Sequence, residues 1–123
     1  MDIFKELKLA AILHKGFCQR ADATDAHTAC QLATVNGAMA QGRTDCGRIA
    51  VGQKADLILI DMDSLHNLPS YGYETTVAYS ADSSDVRLTM VDGKILYENG
   101  EYTTIDVEKL KYQAKDVIKH YFD

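Results

Sequence analysis

One proline, Pro69, occurs in 123 residues, and the three cysteines, Cys18, Cys30 and Cys46, are an odd number without a CxxC pair. That set builds no disulfide framework and reads as three reduced thiols, which points to the cytoplasm. No run of five basic residues occurs and the formal net charge is -5, so a nucleic-acid binder's electrostatic footprint is missing. The opening Met1-Asp2-Ile3-Phe4-Lys5-Glu6 lacks the basic flank and long apolar stretch of a secretion signal. No apolar run approaches the length that spans a bilayer. A GxSxG elbow, a P-loop and a glycine-rich dinucleotide loop are absent too. The histidines His14, His27, His66 and His120 form no HxH, HExxH or HxxxH pattern, and none is spaced from a cysteine as a zinc site requires. They are expected at helix ends and on the surface. Cys18 and Cys30 show no base beside them, which argues against a catalytic thiol. Asp82 and Asp85 flank Ser83-Ser84 and read as turn residues. No residue is assigned to catalysis, cofactor binding or metal ligation.

What is present is a globular composition, 46% hydrophobic and 25% charged, long enough for one domain with a core. Asp2 caps a helix over residues 3–15, whose stop is Lys15 followed by Gly16. Its apolar residues lie on more than one face, as they would in a helix packed on two sides. A second helix, from Thr24 or Asp25 to about Ala40, carries a face of small residues, and Gly42 ends it. The centre of the chain is Gly47-Arg48-Ile49-Ala50-Val51-Gly52-Gln53-Lys54-Ala55-Asp56-Leu57-Ile58-Leu59-Ile60-Asp61. Leu57 to Ile60 reads as a strand buried on both faces, with Gly52 turning the chain before it, the sign of a hairpin in a β core. Residues 62–73 form a loop, Thr75 to Tyr79 a strand or short irregular element, and residues 80–85 a turn. Asp92-Gly93 between residues 86–91 and 94–97 signals a type I′ hairpin, and Asn99-Gly100 a second turn. Asp106 caps a last helix with one apolar stripe, Val107, Leu110, Ala114, Val117, Ile118 and Tyr121. The order predicts an α+β fold with a mostly antiparallel sheet.

Two of these stretches, Ala33-Thr34-Val35-Asn36-Gly37-Ala38 and the 47–61 segment, together resemble the C-terminal part of the amidohydrolase superfamily. Residues 90–100, Met90-Val91-Asp92-Gly93-Lys94-Ile95-Leu96-Tyr97-Glu98-Asn99-Gly100, resemble the hairpin closing that family's small β domain. Residues 2–15 resemble the helix after the last barrel strand in the branch of chlorohydrolases and adenosine-type deaminases. The structural motif is carried by Gly47, Gly52, Asp56, Asp92 and Gly93.

The resemblance implies a metal-bearing (β/α)8 barrel, which needs about 250 residues, paired with a β-sandwich built from both chain ends. Residues 1–44 are then expected as the helical end of a TIM-type barrel, 45–104 as the β subdomain and 105–123 as a C-terminal helix. The family's metal ligands and proton-transfer groups lie upstream of Asp2, so none is carried over here. The chain is expected to be a structural part of a hydrolase acting on non-peptide carbon–nitrogen bonds, or of a dechlorinating one, and inactive alone. Zinc or iron belongs to the intact enzyme, where metal-bound hydroxide would attack the ring carbon. Asp2, Ile3 and Phe4 are candidates for a pocket rim there. The expected partner is the missing catalytic half, or a second copy meeting through helices 3–15 and 25–40. The alternative is a stand-alone binding or assembly module, without nucleic acid or membrane.

Overall fold

The computed structural model describes residues 2–122. The first helix, α1, spans Ile3–Cys18, and Asp2 caps it by accepting the Phe4 amide at 3.1 Å. It does not stop at Gly16. A glycine ends a helix by turning left-handed, and here Gln19 does so instead, at φ 52. The amides of Gln19 and Arg20 close on the carbonyls of Gly16 and Lys15 at 3.3 and 3.1 Å.

The predicted second helix is two. α2 spans Ala26–Ala33 and α3 Val35–Ala40, separated by Thr34 at φ -122 and ψ -101. The Thr34 hydroxyl donates to the Cys30 carbonyl at 2.8 Å, a local bond that competes with helix continuation. Residues 75–79 are a helix rather than a strand, α4 over Tyr73–Tyr79. Their β-branched composition is overridden by packing, because Ala78 fits fully buried beside Leu7, Ala11 and Ala29. Short 3-10 turns at Leu65–Asn67 and Ser83–Asp85 lie within the stretches read as a loop and as a turn.

The strands β1 (Leu57–Ile60), β2 (Val86–Val91), β3 (Lys94–Glu98) and β4 (Glu101–Tyr102) form one antiparallel sheet in sequence order. Asp92 at φ 51 and Gly93 at φ 76 make the type I′ turn that the sequence signals. Asn99 and Gly100 repeat it at φ 47 and 98, and set Tyr97 against Tyr102 with ring centroids 5.1 Å apart. β1 pairs with β2, with Ile58 opposite Thr89, and not with the segment before it. It is also not buried on both faces: Ile58 and Leu59 are exposed, because no second layer covers them among the described residues.

The last helix, α5, spans Val107–Phe122, and Asp106 accepts the Lys109 amide at 2.9 Å. Its stripe is in place but uncovered, with Leu110, Val117, Ile118 and Tyr121 all exposed. Leu7, Ala11, Ala29 and Ala78 form the central cluster, flanked by Ala26 and Tyr79. Phe4, outside this cluster, and Leu7 are the only large apolar side chains buried among the described residues. No helix of the described residues is long and apolar enough to cross a membrane.

Candidate functional site

The central segment is held by Asp56. One carboxylate oxygen accepts the Asp92 amide at 2.7 Å, and the other accepts from the Arg43 guanidinium at 3.1 Å. Chiefly through the Asp92 amide, and then through Arg43, the Asp56 carboxyl is kept below the usual carboxylate range. The Gly93 amide donates to the Ala55 carbonyl at 3.1 Å, so the hairpin tip is fastened to the chain just before β1. Lys54 bridges Asp45 and Asp92 at 3.7 and 3.6 Å. Asp56, Asp92 and Gly93 are thus brought together, while Gly47 lies apart against α3, 3.0 Å from the Val35 Cα if it carried a Cβ. Between α2, α3 and the sheet runs an open apolar groove of about 630 Å³, lined by Ile3, Leu32, Ala38, Ile49, Leu57 and Met90 among others.

Asp2, Ile3 and Phe4 diverge. Asp2 is occupied as a cap and accepts from the Ser83 hydroxyl at 3.3 Å, Ile3 reaches the groove, and Phe4 is buried. Among the described residues, no nucleophile, base and oxyanion donor meet around them.

The densest polar cluster surrounds Asp85, which is not a plain turn residue. It is 1% exposed and accepts from the Ser64 hydroxyl at 2.8 Å, His66 Nε2 at 2.8 Å, Asn67 Nδ2 at 3.1 Å and the Asp82 amide at 3.1 Å. Burial acts to raise the Asp85 carboxyl, but the Asp82 amide, His66, Ser64 and Asn67 outweigh it and bring the group to about 2. An ionised carboxylate has no proton to give, so His66 Nε2 carries the hydrogen. His66, expected simply on the surface, is an anchor for a buried acid. The signal was its loop position upstream of an acidic turn, which spacing alone does not resolve.

His66, Asp82 and Asp85 place one potential ligand atom each within 4.8 Å of one another. They do not fit a metal ion. Asp85 commits both oxygens to four donors, and Asp82 Oδ1 accepts the Ser84 amide and hydroxyl at 2.7 and 2.6 Å. An ion would have to displace those bonds.

His27 is exposed, as expected of a surface histidine, and it also bridges α2 and α4 through Glu74 at 2.7 Å, a bond that raises its pKa. One further expectation is corrected. His14 stands one turn before Cys18, with Nε2 3.4 Å from Sγ, so that thiol does have a base beside it. The four-residue spacing on one helix was the available sign.

The sequence profile of the amidohydrolase family matches residues 1–96. The chain belongs to the amidohydrolase family. It is 46% identical over 120 residues to a 5-methylthioadenosine/S-adenosylhomocysteine deaminase of Acetivibrio thermocellus, covering 97% of this chain and 28% of that protein. A 5'-deoxyadenosine deaminase of Methanosarcina acetivorans is 42% identical over 115 residues, 94% of this chain and 26% of its own length. Among solved structures, an adenosine deaminase from Xanthomonas campestris with bound zinc superposes with a TM-score of 0.91 at 32% identity, over 95% of this chain and 27% of its own. A zinc-complexed atrazine chlorohydrolase from Arthrobacter aurescens shares the fold, with a TM-score of 0.84 at 23% identity over 94% and 26% of the two chains. This amidohydrolase chain therefore spans about a quarter of the length of the relatives it matches. The resemblance seen in the sequence is confirmed at the level of the family.

Proposed function

We propose that the chain is the C-terminal structural part of a metal-dependent aminohydrolase that removes an amino group from an adenosine-type nucleoside. The observation that carries it is the match to the deaminase of Acetivibrio thermocellus, 97% of this chain against 28% of that protein. In this role α1 is the helical end of a barrel and residues 45–104 are one half of a β-sandwich. The groove and the outer face of α1 are then covered by the upstream catalytic part, which would bring the zinc and the proton-transfer groups.

Physical support comes from the surface. Leu9, Ile12, Leu13 and Phe17 lie on α1 opposite the buried Phe4, Leu7 and Ala11, and all four are exposed. Their exposure, like that of Ile58 and Leu59, is unfavourable in water by about 25 cal/mol for each Å² of apolar area that a partner could cover. The Asp56 network fastens the hairpin tip to the segment before β1, and the carboxylate oxygens of both Asp56 and Asp85 are occupied by hydrogen-bond donors.

Co-expression tests the proposal. A polypeptide carrying the upstream part of the Acetivibrio thermocellus deaminase is purified with and without this chain, and ammonia release from methylthioadenosine is followed. Release only when both are present is expected. Release by the upstream polypeptide alone, unchanged by adding this chain, would refute the structural role.

A further inference from the structure

Three side chains converge at the C-terminal end of α1, away from the groove and both aspartate networks. Cys18 Sγ lies 3.4 Å from His14 Nε2, and His14 Nδ1 lies 2.6 Å from the Thr24 hydroxyl. Cys18 and His14 are exposed, while Thr24 is 5% exposed and so a fixed point. A thiol, an imidazole within reach of its proton and a third group orienting that imidazole make the arrangement of an activated nucleophile. The other thiols lack it. Cys30 Sγ faces the Glu74 carbonyl at 3.8 Å, with burial pushing its pKa up, and Cys46 is buried.

We propose that Cys18 is a base-assisted thiol that forms mixed disulfides with low-molecular-weight disulfides, with His14 taking its proton. Thr24 Oγ1 accepts from Nδ1–H, which leaves the Nε2 lone pair facing Sγ. Cys18 Sγ attacks one sulfur of the small disulfide as its proton passes to Nε2. The sulfur–sulfur bond of the reagent breaks, and the departing thiolate takes the proton back from the imidazolium. One disulfide replaces another, so no outside oxidant or reductant is required. Assistance from His14 decides the rate, because negative charge growing at the last residue of a helix gains nothing from the backbone dipole. Thr24 is a positioning residue.

The test uses the 123-residue chain with glutathione disulfide, following the adduct at each cysteine by peptide mass spectrometry. Cys18 is expected to react first. His14→Gln should slow Cys18 by about a hundredfold or more, the lower range for losing a proton acceptor, with Cys30 unchanged in the same chain. Thr24→Val should slow Cys18 and Thr24→Ser restore it. A loss smaller than about a hundredfold in His14→Gln would show that exposure alone sets the rate, and overturns the proposal. So does a wild-type Cys18 that reacts no faster than Cys30, a comparison that needs no variant.

Discussion

Gly47 and Gly52 both adopt positive φ, at 90 and 85, yet their surroundings differ. A Cβ on Gly47 would fall 3.0 Å from both the Ala38 Cβ and the Val35 Cα, whereas nothing lies within 4 Å of one on Gly52. Backbone atoms of α3 cannot move aside as a flexible side chain can. Gly47→Ala should therefore cost about 2–4 kcal/mol, adding a clash to the left-handed penalty, and Gly52→Ala only about 1–2 kcal/mol. Urea unfolding of the two variants distinguishes them; equal midpoints would contradict the close approach of residue 47 to α3. The Asp85 network makes a pH prediction. Its carboxyl falls from 3.8 to about 2 in the folded chain, so its stabilisation is fully present above the unfolded value. It is lost as the pH drops from about 4 to about 2. Asp85→Asn should flatten this acid limb and cost about 2–3 kcal/mol at neutral pH, since an amide turns hydrogens toward groups that already donate. An acid transition identical to wild type would sink the assignment. Asp92-Gly93 was legible in the sequence because its turn chemistry is local. The Asp85 cluster was not, because Ser64, His66 and Asn67 reach it from about twenty positions away through tertiary folding.

At the scale of elements, α1 is a helix with two apolar sides of which one is covered. The apolar pattern of residues 3–15 marks both sides, and α2 and α4 cover only the side of Leu7 and Ala11. Leu13→Glu and Phe17→Lys, at positions 61% and 89% exposed, should leave the thermal midpoint within the range of about 0.5 kcal/mol usual for surface changes. They should also weaken self-association in sedimentation. Leu7→Ala should instead cost about 2–5 kcal/mol by opening the small central cluster. Unchanged association in the Leu13 and Phe17 variants would remove α1 from the docking surface. Residues 75–79 read in the sequence as a strand or a short irregular element because Thr75, Thr76 and Val77 have strand propensity, and packing of Ala78 in the core favours the helix instead. Likewise the break at Thr34 is a side-chain bond to the Cys30 carbonyl, which periodicity does not register.

At the scale of the whole molecule, more large apolar side chains are exposed than buried among the described residues. Phe4 and Leu7 are buried, while Ile12, Leu13, Phe17, Ile49, Leu59 and Tyr121 are among the large apolar groups exposed. The chain spans about a quarter of the length of its relatives, and the open faces are what the proposed structural role requires a further part to cover. The family was legible because its motifs are backbone motifs, glycines and aspartates that hold turns and strands. The measurement that bears most directly on the central claim is zinc content and ammonia release for the purified 123-residue chain alone, with methylthioadenosine as substrate. The account predicts no stoichiometric zinc and no release above the uncatalysed rate. One zinc per chain with turnover would contradict it, because a catalytic metal centre would then be built from residues that the structure shows already engaged in holding the fold.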